Sequence, residues 1–596
     1  MFRRLVTLLL APALVLSVVP AASAVVAEDE QLGSPHGAQL GAHGVEFNEV
    51  SGLRDNVSVA HTDSSPQRLC SSIDAAPCST EDYSFRAVLG PCTSSTTIDC
   101  IESVTATVDG RASSGVPNGT FPARGVTDFT GSDAEGVPSG GAPGMWTFAD
   151  APHAFGSVYQ VTVMITGRSM SGNALSSARS FFANITPVSL HQTTCTVASN
   201  GHCMDTYYED STYGKIRFAG VAWDQDNDKR CQNWGENAKC ALKHAFPAGI
   251  RFALKVRLRK APSGWLHGRM TDPSASIVTA DGATSVVVEA APTKVPVVAA
   301  SAQYSALPTR IQQWFDANCP CGSRRRVNDW SDTSTRNAVS LPPAYKESSF
   351  SQLELWREHV GDKAFAIPSI WNVRTLSDSE MLFAPACVRT GSGVTGIVST
   401  NATLYAEGPP AFDSASSTLQ YKVSAPHWER DGTTPFLGSY SLLLRDDIAE
   451  CLYGAPDFNA GGSTVTVSSE SGAAKTATTS VVSSGGWWRF SASGYTHSAP
   501  VVRARLEPKW PTMRKGRGMK VASLARSYGM SVPAKARVAA TVSSSSRKVC
   551  SVSSKLVITA KKTGLCRISV SVTPAKTKKS PRPATVRRTV TVRVSK

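Results

Sequence analysis

The sequence predicts a mainly β protein, in which several β-sandwich domains follow one another along the chain and a short helical insertion interrupts them. Short runs of alternating apolar and polar residues recur between turn-forming residues, the pattern of strands with one buried face. Two segments have apolar residues at helical spacing instead. The 596-residue chain is 41% hydrophobic and 18% charged, which suffices for several apolar cores and excludes wholesale disorder.

The first 24 residues have the three parts of a secretory signal peptide. Arg3 and Arg4 give a positive start, residues 5–19 are apolar, and 22–24 form a small-x-small cleavage site. An N-terminal membrane anchor needs about 18 or more uninterrupted apolar residues, and Pro12 breaks this segment. We expect cleavage after the signal, no transmembrane segment in the mature protein, and a secreted, extracellular or cell-envelope location.

The rest of the chain divides by composition and by strand pattern. The predicted units are a flexible arm at 25–45, β domain 1 at 46–188, β domain 2 at 189–300, a helical junction at 301–366, β domain 3 at 367–507, a linker at 508–518 and a last β domain at 519–596. In the last domain, apolar residues alternate with polar ones and should face the core. These residues are Cys566, Ile568, Val570, Val572, Val590, Val592 and Val594.

The helical junction contains two short amphipathic segments, at 307–315 and 350–360. Ser351-x-x-Glu354 has the form of a capping box at the start of the second helix, and Gly361 is suited to its end. We expect both helices to pack at a domain junction rather than to bind a cofactor.

The chain has 14 cysteines, all beyond the signal, and an even number in an exported protein predicts disulfides. The expected pairs are Cys70–Cys78, Cys92–Cys100, Cys195–Cys203, Cys231–Cys240, the long-range pair Cys387–Cys451, and Cys550–Cys566. Cys319 and Cys321 are too close for an easy mutual bond, so they form either a strained ring or two bonds to other partners. A redox or zinc site is disfavoured because CxxC and paired-His spacings are missing.

A resemblance to a known group of proteins is carried by residues 548–570. This segment has a Val-Cys-Ser-Val strand, a Lys-rich turn that ends at Gly564, and a Cys-Arg-Ile strand. It resembles the C-terminal bacterial immunoglobulin-like domain of secreted actinobacterial multi-domain surface proteins of uncharacterised function. Residues 431–454 and 486–490 are also similar to a domain of such proteins. The resemblance implies export and an immunoglobulin-like sandwich, and it brings no catalytic residues.

Asp224, Asp226 and Asp228 form the best local cluster of candidate ligands, and Ca²⁺ prefers such oxygen ligands. An EF-hand loop next requires Gly, where this chain has Lys229, and its twelfth position is Gly235 instead of Glu. These departures favour the alternative, a solvated turn that leads into the next cysteine loop. No other cofactor is expected.

Recognisable catalytic motifs are missing from the sequence, including Gly-x-Ser-x-Gly, His-Glu-x-x-His and phosphate-binding Gly loops. Trp428, Trp487 and Trp488 are candidates for a sugar-stacking platform. Adjacent residues of a strand point to opposite faces, so the alternative is core packing for one of the neighbouring pair and incidental exposure for the other.

The C-terminal charge is the most unusual feature of the sequence. Residues 501–596 contain 24 Lys and Arg and one acid, Glu507, a net charge of +23, whereas residues 25–500 have a net charge of −10. This asymmetry predicts a polyanion-binding end, and the polyanions that an exported protein meets are envelope polymers and lipid head groups. We expect no nucleic-acid partner. The alternative is a well-solvated cationic sandwich without a partner.

Three functional hypotheses remain. The first is an exported noncatalytic cell-surface or extracellular protein, whose cationic C-terminal domain binds anionic cell-envelope polymers. The second is a secreted hydrolase acting on cell-wall or carbohydrate polymers, which requires a converging Ser, His and carboxylate set. The third is a carbohydrate-binding adhesin, which requires exposed, coplanar Trp side chains.

Overall fold

The structure is a computed structural model. It describes residues 43–47, 57–123, 128–169, 180–192, 207–210, 214–217, 231–234, 239–302, 306–318, 337–341, 344–345, 347–391, 393–469, 472–497, 500–575 and 584–596. Several sequence predictions lie outside these residues. They are the signal peptide, the arm up to residue 42, the calcium candidates Asp224, Asp226 and Asp228, the cysteines Cys195, Cys203, Cys319 and Cys321, and the side chain of Cys231.

The described residues form 38 strands and five α-helices, which confirms the mainly β fold class. The first part of the chain contains β1 (His43–Phe47), β2 (Val59–Thr62), β3 (Tyr83–Val88), β4 (Cys100–Val108), β5 (Arg111–Ser114), β6 (Val116–Thr120), β7 (Gly144–Thr147), β8 (Val158–Ser169), β9 (Ser180–Gln192), β10 (Tyr207–Asp210), β11 (Gly214–Arg217), β12 (Cys231–Trp234), β13 (Lys239–Lys243), β14 (Arg251–Leu258), β15 (Gly264–Arg269), β16 (Thr271–Ala280), β17 (Ala283–Ala291), β18 (Thr293–Lys294) and β19 (Val298–Ala302).

Helices occur among the strands of the second part. It contains α1 (Thr309–Asn318), β20 (Asn337–Leu341), β21 (Ala344–Tyr345), α2 (Glu347–His359), β22 (Ser369–Thr375), α3 (Ala386–Thr390), β23 (Val394–Thr400), β24 (Leu404–Ala406), β25 (Ala411–Asp413), β26 (Thr418–Ser424), β27 (Leu437–Arg445), α4 (Asp446–Tyr453), β28 (Phe458–Ser468), β29 (Thr478–Ser484), β30 (Trp487–Thr496) and β31 (Val501–Pro508). The last part contains β32 (Thr512–Arg514), β33 (Gly518–Lys520), α5 (Val521–Ser527), β34 (Arg537–Val542), β35 (Cys550–Val552), β36 (Val557–Ala560), β37 (Gly564–Thr573) and β38 (Val586–Ser595).

The largest sheet forms the centre of the body, which we define as the described residues before 509. Its main path is β2-β3-β8-β9-β22-β15-β23-β27-β30-β29. All seven residues of β23 are buried, as are the last five of β15. A strand has this continuous burial when both faces of its sheet are covered. The central sheet takes strands from the ranges 46–188, 189–300 and 367–507, and β9 runs across the predicted boundary at residue 188.

The two faces of the central sheet pack against different sheets. On one face, Leu266 and Leu443 share a core with Leu254 of the sheet β16-β17-β14-β4-β5. On the other face, Leu444 shares a core with Tyr421 of the sheet β21-β24-β26-β31-β28. The consecutive residues Leu443 and Leu444 therefore enter different cores, as the two-residue period of a strand requires. The body is a stack of three layers in which two sandwiches share the central sheet.

A buried cation, Arg269, ties the central sheet to the second outer sheet. Its side chain is completely inaccessible to solvent, and it donates hydrogen bonds to the carbonyls of Thr400 (2.9 Å) and Ala402 (2.6 Å). Its guanidinium carbon lies 4.7 Å from the ring centre of Tyr405. Burial, and then the charges of Arg269 and a neighbouring arginine, hold the pKa of His267 well below its usual value. The carbonyl bonds compensate Arg269 for its lost hydration.

The two predicted helices are present as α1 and α2. Leu307 and Ile311 share a small core with Leu353 and Trp356, so the two helical segments pack against each other. The predicted capping box is wrong, because α2 begins at Glu347 and the capping-box residues lie inside it. The helices α3, α4 and α5 were not predicted. Among the described residues, no helix is long and apolar enough to cross a membrane.

Disulfides occur at four of the expected positions. They join Cys70 to Cys78, Cys92 to Cys100, Cys387 to Cys451, and Cys550 to Cys566. Cys240 is also disulfide-bonded. The long-range pair connects α3 to α4, two helices that flank strands of the central sheet.

The end of the chain forms a separate two-sheet unit, which we call the terminal sandwich (residues 509–596). One sheet has the order β32-β38-β37-β34 and the other β33-β36-β35. The alternation predicted for this region is confirmed, since all seven residues expected to face the core are buried. Cys550 lies in the smaller sheet and Cys566 in the larger, so their disulfide crosses the core.

Replacing Cys550 and Cys566 together by Ala should lower the free energy of unfolding of the terminal sandwich. The disulfide closes a 16-residue separation, and a loop of this length predicts about 3 kcal/mol of stabilisation. Hydrogen exchange of the β35 and β37 amides in the mature protein is the measurement, and exchange should become faster. The matched control replaces Cys92 and Cys100 in the body. Unchanged protection of β37 in the first variant would contradict the prediction.

Candidate polyanion-binding domain

The terminal sandwich contains no acidic residue, because Glu507 is the last carboxylate in the sequence. Its cations therefore have no acidic side chain as a counterion within the domain. In the described residues, two of them form ion pairs with the body: Lys509 with Asp457 (3.3 Å) and Arg588 with Glu450 (3.3 Å). The other cations on the described surface have no carboxylate partner in the structure, and eleven of them lie in two regions that differ in their proportions of Lys and Arg.

The first region is the cationic end, which we define as Lys515, Arg517, Lys548, Lys561, Lys562 and Lys596. All six residues are exposed. Backbone hydrogen bonds bring their turns together. The N–H of Lys515 donates to the carbonyl of Ser595 (3.0 Å), and the N–H of Gly516 donates to Ala560 (2.9 Å). The N–H groups of Lys561 and Lys562 both donate to Val549 (2.8 and 3.1 Å). Gly516 has φ +79°, a conformation that favours glycine at this turn.

The second region is the arginine face, the outer surface of the sheet β32-β38-β37-β34. The four strands contain six Arg and no Lys. Five of these arginines form the arginine face: Arg514, Arg537, Arg567, Arg587 and Arg593. All five are exposed. They alternate along their strands with the apolar residues of the core, so the same alternation that builds the core also directs these cations outward.

The terminal sandwich is docked on the body through Tyr528. Its hydroxyl accepts a hydrogen bond from the N–H of Thr591 (2.7 Å) and lies 2.6 Å from the Thr591 carbonyl. The carbonyl of Gly454, at the end of α4, is 3.2 Å from the same hydroxyl. Burial raises the pKa of Tyr528 to about 12, so the hydroxyl keeps its proton at neutral pH. Arg588 adds a bond to the Tyr528 carbonyl (2.6 Å) beside its ion pair with Glu450.

The connection between the body and the terminal sandwich is short. β31 ends at Pro508 and β32 begins at Thr512. Within the connection, the N–H of Lys509 donates to the carbonyl of Asp457 (2.8 Å), and Trp510 packs against the second core of the body. The guanidinium carbon of Arg593 lies 5.0 Å from the Trp510 ring centre. The orientation of the cationic surface relative to the body is therefore defined by specific contacts.

The three candidate sugar-stacking tryptophans lie in different environments. Trp488 is buried in the second core, and Trp487 packs against the first core from the other face of the central sheet. The two neighbours thus point to opposite faces, as expected for a strand. Trp428 is 36% exposed. The structure does not place the three indoles on one surface.

The structure contains two hydrogen-bonded pairs, each with a histidine, of a kind that can take part in catalysis. Neither of them was found from the sequence. The Oγ atom of Ser189 is 2.7 Å from Nε2 of His244, and Nδ1 of His427 is hydrogen-bonded to Asp362. Their members are 55 and 65 residues apart in the chain, so no local motif marks them. The first pair lies at β9 and the second just after α2. A hydrolytic triad requires nucleophile, base and carboxylate together, whereas the first pair has a hydroxyl and an imidazole and the second an imidazole and a carboxylate.

Metal binding has no candidate in the described part of the chain, where no group of three or more His, Cys, Asp or Glu side chains is placed to hold an ion. The sequence candidates Asp224, Asp226 and Asp228 lie outside that part, so the calcium hypothesis stays a prediction.

A buried histidine, His497, lies near the His427–Asp362 pair. It is inaccessible to solvent, and neither ring nitrogen has a hydrogen-bond partner among the residues that the structure describes. The ring stacks on Phe436 with centroids 5.7 Å apart. Burial lowers the pKa of His497 to about 3, assisted by the positive charges of His427, Arg357 and Lys475. The folded protein therefore holds this ring neutral.

His497 should make the free energy of unfolding fall as the pH is lowered from about 6.5 towards 3. In this window the unfolded chain protonates the ring and the folded chain does not, so each pH unit costs up to about 1.4 kcal/mol. In His497→Phe this contribution is absent. Urea unfolding of both proteins at pH 7 and pH 4.5 measures the effect. We expect a smaller stability difference between the two pH values in the variant, and equal differences would contradict the pKa assignment.

Comparison with known proteins gives no relative for this chain. No family model, no curated protein and no solved structure matches it. The resemblance of residues 548–570 to secreted actinobacterial surface proteins therefore stays a prediction.

Proposed function

We propose that this is an exported, noncatalytic cell-surface or extracellular protein, whose terminal sandwich binds anionic polymers of the cell envelope. The observation that carries the proposal is the cationic end. Six exposed cations are held together by backbone hydrogen bonds in a domain without an acidic side chain. No acidic side chain within the domain neutralises them, so they remain available to a polyanion.

The electrostatics favour a polymer over a single small anion. The screening length is about 10 Å at 0.1 M salt, so cations within one turn region act on a ligand together. A polyanion that contacts several of them releases its condensed counterions, which makes binding strong at low salt and weak at high salt. The body, with a net charge of −10 over residues 25–500, does not share this attraction.

Export is supported by the N-terminal sequence and by the disulfides. Disulfides persist in oxidising compartments outside the cytoplasm, and this chain has them in the body and in the terminal sandwich. The polyanions most accessible to an exported protein belong to the envelope. The docked arrangement of the terminal sandwich suggests that the body is displayed in a fixed orientation on such a polymer.

The hydrolase and adhesin hypotheses have less support. The Ser189–His244 pair has a hydroxyl and an imidazole, and the Asp362–His427 pair has an imidazole and a carboxylate. Two of the three candidate indoles pack against the cores. Neither arrangement favours hydrolysis of a polymer, or stacking of sugars on tryptophan, over binding of a polyanion by the terminal sandwich.

Replacing Lys515, Lys561 and Lys562 together by Gln should weaken retention of the mature protein on purified cell envelope. At about 0.5 kcal/mol for each exposed charge, the loss is about 1.5 kcal/mol, or roughly tenfold in affinity at low salt. The measurement is co-sedimentation with the envelope over a salt series. The wild-type protein should be released at 1 M salt, where the screening length is about 3 Å.

The matched control replaces Lys239, Lys260 and Lys363 by Gln. These are exposed lysines of the body, so the change in net charge is the same. An equal loss in the control, or a wild-type protein that does not bind at low salt, would refute the proposal. The supernatants are also assayed for released sugars and peptides, because their release would support the hydrolase hypothesis instead.

A further inference from the structure

The arginine face and the cationic end differ in the kind of cation they present. The cationic end has five lysines and one arginine, whereas every cation of the arginine face is an arginine. General attraction to a polyanion requires positive charge of either kind. Arginine adds a planar fork of N–H groups that binds phosphate or carboxylate oxygens in pairs, which the point charge of lysine does not offer. The arginine face is therefore suited to recognition as well as attraction.

Strand register places three of the arginines in a diagonal row. Arg514 pairs with Ser595 on β38, and Arg593 is two residues away on that strand. Arg567, on β37, pairs with Thr591, again two residues from Arg593. Diagonal neighbours of this kind are about 7–8 Å apart between Cα atoms. Arg514, Arg593 and Arg567 thus form a row of regular diagonal steps across three adjacent strands, whereas Arg587 and Arg537 lie outside this row, towards the other end of the face.

This spacing matches the repeat of a short polyol phosphate. Six covalent bonds separate successive phosphorus atoms when a three-carbon polyol links them. An extended chain advances about 1.2 Å for each bond, as the polypeptide backbone does, so the phosphates are about 7 Å apart. Exposed hydroxyl side chains lie beside the row, including Ser569 and Thr589 on neighbouring strands. They can exchange hydrogen bonds with the hydroxyl groups of a polyol.

The surface lacks the features that favour nucleic acid. A single-stranded nucleic acid is held by stacking its bases on exposed aromatic rings. The only aromatic residues of the terminal sandwich are Trp510 and Tyr528. Tyr528 is buried in the core, and Trp510 packs against the body beneath Arg593. The same Trp510 contact helps to hold the Arg593 guanidinium in place.

We infer that the arginine face binds a phosphodiester-linked polyol polymer, with successive phosphates paired to successive arginines of the row. The inference rests on the proposed function and adds to it the chemical class of the ligand. The cationic end supplies attraction that depends on charge alone, and the arginine face supplies the paired hydrogen bonds that select phosphate.

The test exchanges the type of cation without changing the charge. One variant carries Arg514→Lys, Arg567→Lys and Arg593→Lys, and the matched control carries Lys515→Arg, Lys561→Arg and Lys562→Arg. Binding of the mature proteins to purified poly(glycerol phosphate) is measured by calorimetry at about 0.1 M salt. The arginine-face variant should bind about tenfold more weakly, because three two-point contacts become single ones. The control should bind as tightly as the wild type, and both salt dependences should match the wild type.

Two further probes of matched charge density, polygalacturonate and oligothymidylate, distinguish carboxylate and nucleic-acid ligands. Tighter wild-type binding to either probe than to poly(glycerol phosphate) would overturn the inference.

The single variant Arg567→Lys repeats the test at a side chain that makes no hydrogen bond in the described structure. It therefore shows whether a loss of binding in the triple variant is caused by misfolding. Unchanged affinity in both variants would overturn the inference but leave attachment by charge intact. Loss of wild-type binding to the envelope itself would instead refute the proposed function.

Discussion

The body of this protein depends on a central sheet whose middle strands are covered on both faces. A strand in this position has no solvent-facing side, so consecutive residues must all be buried, as they are throughout β23. Each polar side chain on the sheet must then find a partner inside the protein. Arg269 meets this requirement with the backbone carbonyls of Thr400, at the end of β23, and of Ala402, in the segment that leads to β24 of the second outer sheet. The two cores, their shared layer and the position of α4, where the terminal sandwich docks, all follow from this arrangement.

The parts of the fold that could be predicted from the sequence are the strands with one face buried and the other exposed to solvent. In β37 and β38, core residues alternate with polar ones, and this pattern indicates both the strands and their orientation. The shared central sheet could not be predicted, because a continuous apolar run such as Leu442–Leu444 does not show which residue enters which core. The short helices α3, α4 and α5 have five to eight residues, too few for helical periodicity to stand out. Ser351 and Glu354 match the sequence pattern of a capping box, but α2 begins at Glu347, so both residues lie inside the helix.

The candidate site also has features that the sequence reveals and features that only the fold reveals. The absence of acids after Glu507 is visible in the sequence, so the charge asymmetry could be found without a structure. The separation of arginines from lysines could not, because it depends on strand register and on which turns meet at one end of the sandwich. The Ser189–His244 pair is likewise formed by the fold, since 55 residues separate its members.

The order of strands in the terminal sandwich has a mechanical consequence. Its first strand, β32, and its last strand, β38, are parallel neighbours, and β32 follows the body after three residues. Tension that reaches the domain along the chain from the body therefore pulls β32 lengthwise past β38. The hydrogen bonds between the two strands then resist this shear together, instead of opening one after another as in a peeled hairpin. A domain built in this way is suited to keep its fold while a load pulls the body away from a fixed surface.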